Sequence, residues 1–215
     1  MAQKKVNAVI HSQEKLAEGI YSMWLDAPEM AKAAVPGQFI AVYTNDQSKL
    51  LPRPISICEA DKENGRLRIV YRIAGAGTKE FSAYKEGDTL DIMGPLGNGF
   101  PLKKKKAFLI GGGIGIPPML ELAKNLDCEK TAVIGYRDKE TFLADELRKY
   151  ADVVIATEDG SVGTKGNVID AIRAEKLTAA IIYACGPTPM LKALKTYAME
   201  NGIECYISLE EKMAD

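Results

Sequence analysis

Short apolar runs separated by turn-forming residues fill the first half of the chain. Up to Pro95 these runs are rich in β-branched and aromatic residues, and Asn64-Gly65 provides a turn between two of them. Several such runs in succession predict strands of an antiparallel barrel. Trp24, in an alternating strand, is expected in the barrel core. The six predicted strands cover residues 6–11, 19–25, 38–43, 55–58, 67–73 and 89–93, and only residues 78–84 are expected to form a helix.

From Ala107 onward, strands alternate with helices. The predicted strands cover 107–110, 131–136, 152–156, 180–184 and 204–207, and the predicted helices cover 119–125, 142–149, 167–174 and 190–200. This alternation predicts a doubly wound parallel sheet. The change of pattern near Pro101 divides the chain into a barrel domain, residues 1–100, and an α/β domain, residues 101–215.

Composition and charge narrow the functional class. The 28 basic and 29 acidic side chains nearly cancel, so charge does not favour binding to nucleic acid or to a membrane surface. No apolar run has the length of a signal peptide core or a spanning helix, and we expect a cytoplasmic protein. The four cysteines are scattered without a CxxC pair, and Cys58, Cys128 and Cys205 are expected to be buried thiols. The four lysines at 103–106 are expected in a solvated turn rather than a docking patch, and His11 in a structural or surface role.

Two motifs in the barrel half suit a cofactor that carries phosphate. Arg53-Pro54-Ile55-Ser56 opens a strand, and the planar guanidinium of Arg53 matches a pyrophosphate. Ser56 would face away from Arg53 in a regular strand, unless a bulge after Pro54 brings both to one ligand. Gly75-Ala76-Gly77-Thr78 then links a strand to a helix, with Thr78 as the expected N-cap. Each motif alone also fits an ordinary turn.

Three motifs in the α/β half follow predicted strands. The loop from Gly111 to Pro118 holds four glycines and two prolines after the first strand, where a doubly wound sheet binds a dinucleotide phosphate. Cys185-Gly186-Pro187 ends another strand, and its thiol either contacts a nicotinamide or packs beneath the glycine loop. Residues 157–161 follow the third strand, and Glu158 and Asp159 favour the ribose of NAD over the 2′-phosphate of NADP; a plain glycine loop is the alternative.

The order of these features resembles the ferredoxin–NADP reductase superfamily over essentially the whole chain. The resemblance implies FAD in the barrel and NAD in the α/β domain, with no catalytic acid or base. It places the FAD pyrophosphate at Arg53, the flavin ring beside Pro54, Ile55 and Ser56, and the nicotinamide beside Cys185. The FAD phosphates would lie at Gly75, Gly77 and Thr78, and the NAD nucleotide at Gly112, Gly113, Gly115, Pro117, Glu158, Asp159, Gly186 and Pro187.

Within that superfamily, residues 53–57, 157–161 and 208–214 resemble the electron transfer subunits of NAD-dependent dihydroorotate dehydrogenases. That resemblance implies a hetero-oligomer with an FMN-containing catalytic subunit. It also implies a 2Fe–2S cluster held by four thiolates in a later cysteine-rich segment, whereas this chain stops at Asp215 and its cysteines offer no such set. Either the chain is a shortened form, or its electron route bypasses a cluster of its own.

Two other functions remain open at this point. The flavin subunit of a ferredoxin-linked NAD(P) oxidoreductase, a hydrogenase or a sulfite reductase would share the same motifs and differ in its partner. A binding or regulatory subunit without turnover would share the fold, but the intact Arg53, Ser56, Gly77 and Gly113 count against it.

Overall fold

The computed structural model describes residues 4–46, 48 and 51–209, so residues 210–214 of the family resemblance lie outside the described part. The chain forms two compact units, and the boundary between them falls in the sequence between Gly99 and Phe100. In the described ranges, no helix is long and apolar enough to cross a membrane.

The first unit is a closed six-stranded barrel, as the sequence predicts. Its strands pair in the order β1-β2-β5-β4-β3-β6, and every described pairing is antiparallel. Alternate residues such as Ile55 and Ile57 fill the interior. The elements are β1 (Lys5–Ala17), β2 (Ile20–Asp26), α1 (Pro28–Ala33), β3 (Phe39–Val42), β4 (Arg53–Asp61), β5 (Arg66–Arg72), α2 (Ala76–Ser82) and β6 (Thr89–Leu96).

Two expectations for this unit are wrong. Helix α1 was not predicted; it begins at Pro28, a residue suited to the first helical position, and it buries Met30 and Ala31. Trp24 does not lie in the core, because Met23 and Leu25 take the two inward positions on either side of it. The half-buried Trp24 ring instead lies near Arg68, whose Cζ atom is 5.8 Å from the ring centroid.

The second unit contains a parallel six-stranded sheet in the order β10-β9-β8-β7-β11-β12. The order reverses beside β7, so the carboxyl ends of β7 and β11 flank the switch point where such sheets bind ligands. This confirms the predicted fold class. The elements are β7 (Ala107–Gly112), α3 (Pro117–Asn125), β8 (Lys130–Tyr136), α4 (Ala144–Leu147), β9 (Asp152–Thr157), β10 (Thr164–Lys165), α5 (Val168–Ala174), β11 (Ile181–Gly186), α6 (Thr188–Asn201) and β12 (Glu204–Leu209).

Two details of this unit differ from the sequence-based expectation. Helix α4 is shorter than the predicted segment 142–149, because Leu143 has a φ of +66° in the left-handed region and the helix begins after it. Strand β10, of two residues, was not predicted. Its length is too short to leave a periodic signal in the sequence.

The four lysines at 103–106 form ion pairs within this unit. Lys103 and Lys105 both contact Glu204, while the Nζ atoms of Lys104 and Lys106 lie 3.3 and 3.4 Å from carboxylate oxygens of Asp127 and Glu129. The two lysines and a hydrogen bond from Tyr206 lower the pKa of Glu204 to about 2. These pairs satisfy the charges locally and favour the solvated turn over a docking patch.

Candidate functional site

The two barrel motifs meet at the start of α2. A methyl group built on Gly77 would lie 3.1 Å from Nε of Arg53 and 3.4 Å from Cγ2 of Thr44. The Arg53 side chain therefore passes directly over the first turn of the helix, where Gly77 leaves room for it. Arg53 also donates a hydrogen bond to the carbonyl of Leu51 at 3.2 Å, which helps to fix the guanidinium.

Thr78 shapes this loop rather than capping the helix in the predicted way. Helix α2 begins at Ala76 with Gly75 as its N-cap, so Thr78 is the third helical residue. Its hydroxyl accepts hydrogen bonds from the N–H groups of Ala74, at 2.8 Å, and Gly75, at 3.2 Å, and donates to the carbonyl of Gly75. These three bonds use the full capacity of a hydroxyl. A contact of this residue with a phosphate would therefore come from its backbone.

The space beside Gly75 is open. Its φ of −173° is extended backbone that any residue adopts, and an added methyl group would meet no atom within 4 Å. Neither strain nor a neighbouring side chain requires glycine here, although glycine is among the residues favoured at an N-cap. The backbone at Gly75 is therefore open to a ligand that approaches it closely. The N–H groups at the start of α2, which have no acceptor inside the helix, and the nearby Arg53 charge fit the pyrophosphate of FAD.

The bulge that would bring Arg53 and Ser56 to one ligand is absent from β4. The pairing with β3 runs without interruption from Arg53 opposite Val42 to Ser56 opposite Phe39, and the irregularity in β4 comes later, between Ile57 and Glu59. The two side chains therefore leave opposite faces of the strand. Within this motif Ile55 packs into the barrel core, whereas Pro54 is exposed and Ser56 half-buried on the other face.

The glycine loop of the second unit packs tightly against the end of β11. A methyl group on Gly115 would lie 2.2 Å from the carbonyl oxygen of Cys185, and one on Gly112 would lie 2.7 Å from Sδ of Met190. Gly113 has a φ of +54°, in the left-handed region that favours glycine. Pro117 starts α3, as expected for a proline after the loop. The structure thus brings the two predicted motifs together at the carboxyl ends of β7 and β11.

The thiol of Cys185 is completely buried in this arrangement. The side chain is 0% exposed, and Gly186 beside it has a φ of +159° and lies against Met190. Of the two roles left open by the sequence, this burial favours packing beneath the glycine loop. A contact with nicotinamide stays a prediction.

In the loop after β9, the two acidic candidates for a ribose contact differ in their hydrogen bonds. Asp159 accepts hydrogen bonds from the backbone N–H of Ser161, at 2.9 Å, and from its hydroxyl, at 2.6 Å, and these bonds lower the pKa of Asp159. Glu158 is exposed, and its backbone N–H donates to the carbonyl of Tyr136. Within the described ranges no hydrogen bond or ion pair of the Glu158 carboxylate is found. Glu158 is therefore the acidic group available to a ligand.

Both units of the chain match known protein families. Residues 7–100 match the family described as oxidoreductase FAD-binding domain, and residues 109–196 match the oxidoreductase NAD-binding domain. A relative from Geobacillus sp. (strain WCH70) is 41% identical over 222 residues, which cover 99% of this chain and 85% of the relative. A relative from Streptococcus mutans is 44% identical, covering 98% of this chain and 84% of the relative. Both are named dihydroorotate dehydrogenase B (NAD(+)), electron transfer subunit.

The chain belongs to this family of electron transfer subunits. A solved structure described as an NADH-dependent reduced ferredoxin–NADP oxidoreductase, which concerns flavin-based electron bifurcation, is also similar. It is 31% identical with a TM-score of 0.86, over 100% of this chain and 80% of that chain. These matches confirm the resemblance to the ferredoxin reductases and the FAD-binding and NAD-binding character of the two units.

Two residues that contact the candidate sites were not predicted from the sequence. Thr44 lies against Gly77 beside Arg53, and Met190 fills the space that Gly112 and Gly186 leave open. Neither belongs to a glycine-rich motif, and the contacts of Thr44 with Gly77 and of Met190 with Gly112 join distant parts of the chain. Over residues 4–46, 48 and 51–209, no group of three or more His, Cys, Asp or Glu is arranged to hold a metal ion.

The open space at Gly75 allows a methyl group to be added there without a clash inside the protein. Gly75→Ala is expected to leave the melting temperature of the apoprotein unchanged and to weaken FAD binding about tenfold, because the methyl group occupies space that the cofactor needs. Titration of the apoprotein with FAD, followed by flavin fluorescence, measures the change. Equal FAD affinity in the variant would show that the cofactor does not approach this backbone.

Proposed function

We propose that this chain is the electron transfer subunit of an NAD-dependent dihydroorotate dehydrogenase, which exchanges hydride between NAD(H) and FAD and passes electrons to a separate FMN-containing catalytic subunit. The observation that carries the proposal is identity of 41% and 44% to relatives of that name over nearly the whole chain. We also propose a cytoplasmic location, because the four scattered cysteines do not have the paired spacing of a disulfide framework.

In this proposal each domain holds one cofactor, FAD in residues 1–100 and NAD in residues 101–215. FAD when bound supplies a flavin ring that accepts or gives hydride. The protein's part is to anchor and orient. Arg53 and the backbone at Gly75, Gly77 and Thr78 hold the FAD pyrophosphate. Pro54, Ser56 and the backbone at Ile55 border the ring. The contact of Arg53 with Gly77 supports this assignment.

The NAD site is assigned in the same way to the edge of the parallel sheet. The loop of Gly112, Gly113 and Gly115, together with Pro117, faces the NAD pyrophosphate, and the segment from Cys185 to Pro187 borders the nicotinamide. The Glu158 carboxylate accepts hydrogen bonds from the hydroxyls of the adenosine ribose. Asp159 stabilises the loop by accepting hydrogen bonds from Ser161. The switch-point position of this loop supports the assignment.

The exposed Glu158 predicts the coenzyme preference. Glu158→Gln is expected to lower kcat/KM for NADH about tenfold and to raise it for NADPH about tenfold. The reason is the loss of a carboxylate that accepts a hydrogen bond from the ribose hydroxyl of NADH and repels the 2′-phosphate of NADPH. NADH and NADPH ferricyanide reductase assays measure both values. Asp159→Asn is the control; it should affect both coenzymes equally, because that carboxylate bonds to Ser161. An unchanged NADH/NADPH ratio in Glu158→Gln would exclude the ribose contact.

The partner is tested by reconstitution. The chain, loaded with FAD, is mixed with an FMN-containing dihydroorotate-oxidising subunit, and complex formation is followed by size-exclusion chromatography. We expect the two subunits to form a stable complex. If the electron route bypasses a cluster in this chain, the complex should also reduce NAD in the presence of dihydroorotate, whereas neither subunit alone should do so. The absence of a complex would contradict the proposal.

A second candidate function is supported by a specific observation. The similar structure described as a reduced ferredoxin–NADP oxidoreductase shares 31% identity over the full chain. A flavin subunit of such an enzyme would pass electrons to or from ferredoxin. Ferredoxin can be added to the FAD-loaded chain in place of the FMN-containing subunit. Reduction of ferredoxin by NADH, without activity toward dihydroorotate in the reconstitution above, would favour this candidate. The higher identity to the dihydroorotate dehydrogenase relatives favours the first one.

A further inference from the structure

A glutamine on the first barrel strand binds the C-terminal end of α2. Nε2 of Gln13 donates hydrogen bonds to the carbonyls of Phe81, at 2.9 Å, and Tyr84, at 2.8 Å. These two bonds link positions that are 68 and 71 residues apart in the sequence. Phe81 lies in the last turn of α2, whose carbonyls have no intrahelical donor, and Tyr84 lies two residues beyond the end of the helix. The two bonds therefore fix the end of α2 and the segment that follows it to β1.

The orientation of the Gln13 amide is itself determined by a neighbour. The hydroxyl of Tyr71 donates to Oε1 of Gln13 at 2.6 Å, so the NH₂ group must face the helix. The Tyr71 ring is 2% exposed, stacks on Tyr21 and meets the Phe81 ring edge-on at 6.1 Å. Burial raises the pKa of Tyr71 and keeps the hydroxyl protonated as a donor.

The other end of the same helix carries the loop assigned to the FAD pyrophosphate. Helix α2 has seven residues, too few to be stable without tertiary contacts. It spans only about 10 Å from end to end, so a shift at the Gln13 end moves the Gly75–Thr78 loop relative to Arg53. Its stability and its placement must therefore come from groups such as Gln13.

We propose that Gln13, oriented by Tyr71, is a positioning residue for FAD: it holds α2 so that the loop at Gly75 and the Arg53 guanidinium keep the geometry that binds the pyrophosphate. This inference rests on the proposed function, since it takes the FAD site to be at that loop. Gln13 contacts the C-terminal end of the helix, so its effect on FAD is indirect.

The test compares FAD with riboflavin, which lacks both the pyrophosphate and the adenosine of FAD. Apoprotein is titrated with FAD and with riboflavin, which has the same ring but no phosphate, and flavin fluorescence gives both dissociation constants. Gln13→Glu keeps the length and the acceptor for Tyr71 but loses both donors to α2. We expect about tenfold weaker FAD binding with riboflavin binding unchanged, so the preference for FAD falls about tenfold. Tyr71→Phe keeps the ring contacts and should lower that preference about threefold.

The chain offers a matched control on the same strand. Nδ2 of Asn7 donates to a carboxylate oxygen of Asp91 at 2.9 Å, so Asn7→Asp is also an amide-to-carboxylate change on β1 that removes a cross-strand bond. It should leave the preference for FAD over riboflavin as in the unchanged protein. The Lys79 amide donates to the carbonyl of Gly75 at 3.0 Å, and its hydrogen exchange should speed up in Gln13→Glu and not in Asn7→Asp.

Three results would overturn the inference. An equal loss of FAD and riboflavin affinity in both Gln13→Glu and Tyr71→Phe would assign Gln13 a merely structural role. An unchanged FAD preference in both variants would mean that α2 does not need this support. If the unchanged protein bound riboflavin as tightly as FAD, the pyrophosphate site itself would fail, and with it the assignment of that site under the proposed function.

Discussion

Replacing Arg53 with methionine is expected to weaken FAD binding about 100-fold, because the variant keeps an unbranched apolar side chain but loses the charged fork beside the start of α2. The guanidinium lies over Gly77, whose added methyl group would be 3.1 Å from Nε. Titration of the apoprotein with FAD measures the loss. Arg53→Lys, which keeps the charge without the planar fork, should recover about tenfold of the affinity.

A second arginine of the barrel provides the control for this prediction. Nε of Arg66 pairs with a carboxylate oxygen of Asp26 at 3.1 Å, between β5 and β2, and Arg66 lies outside the motifs proposed to bind a cofactor. Arg66→Met should therefore leave FAD affinity unchanged. If Arg53→Met bound FAD as tightly as the unchanged protein, the placement of the pyrophosphate at this arginine would be wrong.

Gly115→Ala is expected to abolish measurable NADH binding while FAD stays bound to the barrel. The added methyl group would lie 2.2 Å from the carbonyl oxygen of Cys185, so the glycine loop and the end of β11 cannot keep their contact. Overpacking of this kind typically costs about 1–3 kcal/mol, and the loop that it displaces is the one assigned to the NAD pyrophosphate. We expect at least a 100-fold loss of NADH affinity, about 2.7 kcal/mol, measured by isothermal titration.

Gly202→Ala separates this effect from simple loss of stability. Gly202 ends α6 with a φ of +63°, and an added methyl group there meets no atom within 4 Å, so the change introduces backbone strain without a clash. The variant should melt at a lower temperature and still bind NADH normally. Normal NADH affinity in Gly115→Ala would show that the nucleotide does not depend on this loop.

The sequence was sufficient to predict both folds, because the signal for each is local. Runs such as residues 67–73 carry the β-branched and aromatic residues of a barrel strand, and the alternation after Ala107 is that of a parallel sheet. The direction in which one side chain points was harder to predict. Trp24 is flanked by Met23 and Leu25, and apolar residues at three successive positions leave the inward face undecided.

The candidate sites were predictable as motifs but not as contacts. Arg53 and Gly77 could be singled out because a guanidinium binds phosphate oxygens and a glycine leaves the backbone N–H groups accessible to them. Their contact with each other and with Thr44 depends on how the barrel closes. Thr78 was expected to cap α2, whereas the structure uses its hydroxyl to hold Ala74 and Gly75. The role of Gln13 could not be predicted, because its partners lie 68 and 71 residues away.

Hydride transfer from NADH to bound FAD is tested most directly by an absorbance spectrum of the purified protein, followed by anaerobic addition of NADH. We expect a flavin band, either as purified or after addition of FAD and removal of the excess, and we expect NADH to bleach it much faster than NADPH does. Failure to retain FAD, or a bound flavin that NADH does not bleach, would contradict the proposed function.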